Sequence, residues 1–140
     1  MLKHTDNLSL FDTSAFIKSH TNRPENTDIS MMTFITPTPE CCGIVKINNW
    51  GIVKDFFEKI KNPPGNLANA AVFIIEPRVI NYLSDLGKEE IDFSKEVISN
   101  YLGCIATFHN DIFHRDIGTK ESLFLVHKEF PKRLDNYLRQ

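Results

Sequence analysis

The sequence predicts an α/β domain with a mixed, mostly parallel sheet flanked by helices. Three observations support this class. β-rich runs alternate with helical patterns along most of the chain. The run 67–75 is almost continuously apolar, as in strands buried on both faces. An earlier pair of runs has the pattern of a hairpin, which makes the sheet mixed. The length of 140 residues is that of one domain, residues 1–140.

The first half of the chain predicts one helix followed by strands. Asp12 is a suitable N-cap for an amphipathic helix over 13–20, and the polar stretch 21–28 that follows is a loop. Three β-rich runs predict strands, at 29–35, 43–47 and 52–57. The stretch 61–66 carries paired prolines, which lack backbone donors, so it is predicted to be a rigid loop.

The second half predicts helices separated by short strands. Helical patterns occupy 77–83, 92–102 and 119–130. Two short runs predict strands, at 104–108 and 112–115. Residues 131–140 predict a further, separate helix. At the other end of the chain, residues 4–7 have the pattern of a strand end whose body is missing.

Composition and charge exclude several classes of partner. The net charge is −2 and the pI is about 6.2, with no basic block that could follow a phosphate backbone. No apolar run approaches the roughly 20 residues needed to cross a bilayer, and the N-terminus lacks a signal-type apolar region. We therefore expect a cytoplasmic protein with neither a nucleic-acid nor a membrane partner.

The three cysteines, Cys41, Cys42 and Cys104, form neither a disulfide framework nor a CxxC metal motif. We interpret them as buried small apolar residues. A catalytic nucleophile is the alternative, and it would need a base supplied by the fold.

Asp116 raises the question of chemistry, since it follows His114 and Arg115 as in the kinase catalytic loop. That hypothesis fails because Glu121 stands where a kinase has asparagine, and too little chain remains for the second metal site. A non-haem iron triad from His109, Asp111 and His127 is a second alternative. It is disfavoured because His127 lies in a predicted helix, away from the other two residues.

Magnesium is the remaining chemistry for Asp116. Mg²⁺ takes one or two carboxylates from the protein, with waters and substrate phosphates completing its coordination. Asp6 is the natural second ligand, since it too follows a predicted strand end, where α/β sheets bind ligands. On local grounds alone, a purely structural role is favoured for both residues. Asp6 would then be a turn residue and Asp116 a helix-entry residue.

Three further polar residues are candidates for substrate contacts. Glu58 and Lys59 end a predicted strand, either as a solvated pair or with the Lys59 ammonium against a phosphate. Asn69 lies where an apolar side chain is expected, so its amide needs either backbone partners or ligand hydroxyls.

Five stretches, taken together, resemble the sugar-1-phosphate nucleotidyltransferases. In chain order they are HTDN at 4–7, CGIVKINNWGIVKDFFEK at 42–59, NPPGNLANAAVFIIEP at 62–77, DFSKEVI at 92–98 and HRDIGTKESL at 114–123. Their order and spacing are those of the C-terminal two thirds of that family's fold. The likeness is greatest to guanylyltransferases that act on mannose-1-phosphate or heptose-1-phosphate.

The resemblance implies a partial Rossmann-like nucleotidyltransferase domain that joins a nucleoside triphosphate, expected to be GTP, to a sugar-1-phosphate with release of pyrophosphate. It implies Asp6 and Asp116 as Mg²⁺ ligands and catalytic residues. It implies Glu58, Lys59 and Asn69 as substrate-binding residues, with Lys59 at the phosphate. The product would be a nucleotide-sugar for polysaccharide biosynthesis.

The sequence departs from the family pattern in three ways. The family's glycine-rich Gly-x-Gly-Thr-Arg loop, which cradles the triphosphate, is absent. Ile60 replaces a usual proline, and Ala71 replaces a usual glycine. We therefore expect the chain alone to be inactive, and to self-associate or to bind a partner that supplies the missing half. A non-catalytic sugar-phosphate-binding or oligomer-forming remnant is the alternative.

Overall fold

A computed structural model describes residues 1–139 and contains eight strands and three α-helices. The strands are β1 (Leu2–Lys3), β2 (Asn7–Leu10), β3 (Ile29–Ile35), β4 (Gly43–Ile47), β5 (Val53–Glu58), β6 (Leu67–Ile75), β7 (Ile105–His109) and β8 (Phe113–Asp116). The helices are α1 (Thr13–Thr21), α2 (Pro77–Asp85) and α3 (Lys120–Leu138). The predicted α/β class is confirmed.

Six strands form the main sheet, in the order β5-β4-β6-β3-β7 with β1 also paired to β6, while β2 and β8 form a separate antiparallel pair. Within residues 1–139 only β3 and β7 pair in parallel, so the prediction of a mostly parallel sheet is wrong. Parallel neighbours need a long crossover, whereas a tight turn joins β4 to β5, and β4 is antiparallel to β6 on its other side as well.

Apolar side chains cover both faces of the two central strands, β3 and β6. One cluster includes Ile29, Met31 and Phe73, and the other joins Met32 and Val72 to Phe16 of α1. Asp12 caps α1 as predicted, since its Oδ1 accepts from the Ala15 backbone N–H at 2.9 Å. The central strands are therefore fixed from both sides.

Two predicted helices differ from those in the structure. Residues 92–102 form a π-type turn, Phe93–Ile98, followed by a 3₁₀ turn, Ser99–Tyr101. The predicted separate helix after Pro131 is wrong, because α3 continues through Pro131 to Leu138. A proline inside a helix removes one backbone bond, and the good helix formers around it continue the helix. Gln140 of that predicted segment lies outside the described residues.

The N-terminal residues also differ from a bare strand end. Leu2 and Lys3 form the short strand β1, antiparallel to Phe73 and Val72 of β6. Asp6 lies in the turn that leads into β2. None of the helices in residues 1–139 combines the length and apolarity that a membrane span requires.

Candidate functional site

Asp6 and Asp116, far apart in sequence, meet at the end of the β2–β8 pair. Asn7 lies directly opposite Asp116 in the antiparallel register. The Ile117 backbone N–H donates to the carbonyl oxygen of Asp6 at 2.7 Å, which extends the pairing by one step. Both aspartates are exposed, so their carboxylates are available to a ligand. The structure thus brings together the two residues predicted as metal ligands.

A local turn orients the Asp116 carboxylate. Its Oδ1 accepts from the Gly118 backbone N–H at 2.7 Å. A Cβ on residue 118 would lie 3.0 Å from that same oxygen, so glycine leaves room for the turn. Thr119 then caps α3, with its hydroxyl accepting from the Ser122 N–H at 3.1 Å. Asp116 therefore lies ahead of the Thr119 cap as a helix-entry residue, in agreement with the local alternative, and its exposed carboxylate is still available to a ligand.

The two carboxylates suit a cation that keeps most of its hydration shell. Within residues 1–139, no three or more His, Cys, Asp or Glu side chains converge as a metal site. His109, Asp111 and His127 therefore do not form the triad that the iron alternative requires. Two exposed carboxylates at one strand end match Mg²⁺, which takes one or two protein carboxylates and completes its coordination with waters and phosphate oxygens.

Lys59 is held beside Cys42, just after the end of β5 in the main sheet. Its backbone N–H donates to the Cys42 carbonyl at 3.2 Å. The Cys42 thiol is within 3.5 Å of the Thr36 hydroxyl, and it feels the charges of both Asp116 and Lys59. Cys42 therefore connects the end of β5, which carries Lys59, with the neighbourhood of Asp116.

Glu58 is paired across the strands with Gly43. A Cβ on Gly43 would lie 2.7 Å from the Phe56 ring and 3.0 Å from the Glu58 Oε2. Glycine at position 43 therefore allows the Glu58 side chain to lie over the neighbouring strand. The carboxylate remains exposed at the sheet end, where it can accept a hydroxyl hydrogen.

Asn69 lies in a bulge of β6. The register between β3 and β6 shifts between Met31 and Thr33, and the Asn69 Oδ1 accepts from the Ala71 N–H at 2.8 Å. The amide oxygen thus has a backbone partner, which is one of the two alternatives that the sequence left open for this side chain. Within residues 1–139 the Nδ2 group has no hydrogen-bond partner, so it can still donate to a ligand.

The segment that carries Asp6 also holds this bulge in place. The Asn7 Nδ2 donates to the Ala70 carbonyl at 3.3 Å, and the His4 backbone N–H donates to the Ala71 carbonyl at 3.2 Å. Ala71 is half-buried against the core cluster that contains Phe73. Its methyl group therefore packs inward.

Backbone strain marks two of these positions. Lys59 and Ala71 have φ of 48° and 51°, and among residues 1–139 no other non-glycine residue has a positive φ. Each costs about 1–2 kcal/mol in an L-residue. Strained residues persist where the surrounding structure fixes them, and they cluster at ligand sites. Lys59 is itself predicted to bind substrate, and Ala71 donates its backbone N–H to Asn69, which is also predicted to do so.

A cleft of about 430 Å³ opens beside Asp116, and its lining includes Phe34, Thr36, Cys42 and His114. Asp6, Glu58, Lys59 and Asn69 do not line it. Glu58 and Lys59 lie at the end of β5, Asn69 lies near the start of β6 and Asp6 lies in the turn before β2, all outside the cleft.

The His114 imidazole is packed at the side of this cleft. Its centroid is 4.2 Å from that of the Phe34 ring, and its Nδ1 is 2.8 Å from the Ser9 hydroxyl. Burial lowers the pKa of His114 to about 4, and the positive charge of Lys3 acts in the same direction. The ring is therefore neutral near pH 7.

The cysteines differ from the prediction that all three are buried. Cys41 is exposed, while Cys42 and Cys104 are half-buried. Cys41 is exposed because it ends a 3₁₀ turn on the surface. Burial raises the pKa of the Cys42 thiol above its usual value. Cys42 is therefore a neutral thiol near pH 7 and lacks the activation that a catalytic nucleophile requires.

Three residues of the site were missed in the sequence: Asn7, Cys42 and His114. Asn7 follows Asp6 directly, and its polar side chain in a short strand was the available signal. Cys42 and His114 lie within motif stretches, but only the tertiary fold shows that Cys42 approaches Lys59 and that His114 lines a cleft.

Known proteins share both the sequence pattern and the fold. Residues 4–133 match the family model described as Nucleotidyl transferase. The chain is 27% identical over 112 aligned positions to the glucose-1-phosphate adenylyltransferase of Clostridium acetobutylicum, covering 74% of this chain and 30% of that protein. Its fold is similar to a crystal structure from Bacillus anthracis described as a glucose-1-phosphate thymidylyltransferase in complex with sucrose. That match has a TM-score of 0.74 and 21% identity, and covers 88% of this chain and half of the other.

Proposed function

Because this chain belongs to the sugar-1-phosphate nucleotidyltransferases of the nucleotidyl transferase family, we propose that it provides the acceptor and metal site of such an enzyme. The convergence of Asp6 and Asp116 at the end of the β2–β8 pair carries this proposal, and the charges of both Asp116 and Lys59 reach the Cys42 thiol. The chain spans 30% and 50% of the lengths of the two relatives described above. The complete reaction is therefore proposed for the assembled enzyme.

The proposed chemistry is an in-line transfer to a sugar-1-phosphate. A phosphate oxygen of the sugar-1-phosphate attacks the α-phosphorus of the nucleoside triphosphate and forms a new P–O bond. The bond from the α-phosphorus to the bridging oxygen breaks, and its electron pair leaves with pyrophosphate. No protein atom becomes bonded to phosphorus. The chain orients two polyanions and offsets their charge.

Each predicted residue has one part in this scheme. Asp6 and Asp116 would hold Mg²⁺, which when bound neutralises charge on the phosphates. Lys59 binds the acceptor phosphate as a point charge. Glu58 accepts a hydrogen from a sugar hydroxyl, and the Asn69 Nδ2 donates to one.

The nucleotide that we propose is GTP, because the motifs are most similar to those of guanylyltransferases. The two relatives are named for adenylyl and thymidylyl transfer. The 140 residues contain no Gly-x-Gly sequence, so we propose that nucleotide contacts come from a different chain, a partner that pairs at the edge of β1. The nucleotide-sugar would serve cytoplasmic synthesis of polysaccharide precursors.

Calorimetry of the purified chain with mannose-1-phosphate and with glucose-1-phosphate tests the proposal. Binding should strengthen with Mg²⁺, and Asp116→Asn should remove that dependence. Asp135→Asn is the matched control, since Asp135 is exposed on α3. No binding of either sugar phosphate by the wild type would contradict the proposal.

A non-catalytic sugar-phosphate-binding protein is the second candidate, favoured by the absence of a Gly-x-Gly loop. Pyrophosphate release distinguishes the two candidates. GTP, ATP and dTTP are each supplied with the sugar phosphate, to the chain alone and to any partner that it retains. Pyrophosphate release that is abolished by Asp116→Asn supports the enzyme. Sugar-phosphate binding without release in both preparations supports the binding protein.

A further inference from the structure

His114 lies beside the proposed metal site but has no part in it so far. Alternate residues of a strand project to the same side, and residues i and i+2 are roughly 6.6 Å apart. His114 and Asp116 therefore share one side of β8, separated by about the width of a sugar ring. Both line the cleft of about 430 Å³.

The imidazole is fixed rather than free to rotate. The Phe34 ring packs against it, with centroids 4.2 Å apart, and the Ser9 hydroxyl is 2.8 Å from Nδ1. Ser9 lies directly opposite His114 in the β2–β8 register, so strand pairing sets that contact. A side chain held in one orientation binds a ligand with little further loss of entropy.

One polar atom of the ring remains available. Nδ1 is engaged by Ser9, and within residues 1–139 no group is hydrogen-bonded to Nε2. In a neutral imidazole, one nitrogen donates and the other accepts. A hydroxyl can do either, so it matches Nε2 whichever way the Ser9 hydrogen bond runs. A phosphate oxygen only accepts, and Lys59 already provides a stronger partner for it.

We infer that His114 binds a hydroxyl of the acceptor sugar through Nε2 and so contributes to the choice of sugar. This inference rests on the proposed function, since it assumes a sugar-1-phosphate at this end of the sheet. Asp116 would act at the phosphate end of the acceptor, and His114 at its ring.

The test is calorimetry of mannose-1-phosphate and of methyl phosphate, which lacks the sugar ring. His114→Phe keeps an aromatic ring against Phe34 but removes both nitrogens. We expect about a fivefold to tenfold loss of affinity for mannose-1-phosphate, the usual effect of one lost neutral hydrogen bond. Affinity for methyl phosphate should stay unchanged. His127→Phe is the matched control, since His127 is exposed on α3 outside the cleft.

Deoxy analogues identify the contact. Against the monodeoxy mannose-1-phosphates, the difference between wild type and His114→Phe should vanish for one analogue only. Should His114→Phe not fold, His114→Leu gives the same comparison, because it too removes both ring nitrogens. Equal affinities of wild type and variant for mannose-1-phosphate would overturn the inference and leave the proposed function standing. A wild type that binds neither mannose-1-phosphate nor glucose-1-phosphate would overturn both.

Discussion

Asn69 allows stability and ligand binding to be separated by two substitutions at one position. Its Oδ1 accepts from the Ala71 N–H at 2.8 Å and holds a bulge that contains a residue at φ 51°. Its Nδ2 is the group proposed to donate to the sugar. Asn69→Ala removes both groups, whereas Asn69→Asp keeps the acceptor and replaces the donor with a charged acceptor oxygen.

The magnitudes follow from this geometry. Leaving the half-buried Ala71 N–H without its acceptor costs about 1–2 kcal/mol. In a domain of this size, each kcal/mol lowers the melting temperature by roughly 3–5 °C. Asn69→Ala should therefore melt about 4–8 °C below the wild type. Asn69→Asp should melt within about 2 °C of it, because a carboxylate oxygen accepts the same hydrogen bond.

Thermal unfolding followed by circular dichroism measures the first effect, and calorimetry with a sugar-1-phosphate measures the second. Asn69→Asp should lose about tenfold or more in affinity despite its intact fold. Asn66→Ala is the control, because that side chain is exposed beside the same strand. An Asn69→Ala variant as stable as the wild type, or an Asn69→Asp variant with full affinity, would refute the reasoning.

Further substitutions test the backbone strain at Ala71, the turn that orients Asp116, and the protonation of His20 in α1. Ala71→Val should destabilise by about 2 kcal/mol, because a β-branched residue tolerates positive φ poorly; a urea midpoint equal to that of the wild type would contradict this. Gly118→Ala should weaken Mg²⁺-dependent binding severalfold in calorimetry, since its Cβ would lie 3.0 Å from the Asp116 Oδ1. His20 lies in the last turn of α1, with its Nε2 3.0 Å from the Glu76 carboxylate. Burial and the Arg23 charge lower the pKa of His20 below its usual value, so the unfolded chain binds more protons. Stability should therefore fall as pH drops from about 7.5 to 5.5 in urea titrations, and His20→Gln should flatten that slope.

Most strands were predictable from the sequence because their signals are local. The apolar run ending at Ile75 and the proline loop before it leave little choice of structure. Strand direction was not predictable in the same way. It depends on which strands become neighbours, and the pairing of β3 with both β6 and β7 is a long-range outcome.

The site was predictable as separate residues but not as an arrangement. The resemblance singled out Asp6 and Asp116, yet only the β2–β8 register shows that their backbones meet. Cys42 was interpreted as a buried small residue, because nothing local indicates that the charges of both Asp116 and Lys59 reach its thiol. The helix boundary predicted at Pro131 is wrong, because the helix formers around the proline outweigh the loss of one backbone hydrogen bond.

Binding of Mn²⁺, a paramagnetic substitute for Mg²⁺, tests most directly whether Asp6 and Asp116 form a metal site beside the acceptor phosphate. The free-ion electron paramagnetic resonance signal is measured as protein is added with mannose-1-phosphate. We predict that the wild type binds one Mn²⁺ per chain, and that Asp6→Asn and Asp116→Asn each lose this binding while Asp135→Asn keeps it. Equal Mn²⁺ binding by the wild type and both site variants would contradict the account.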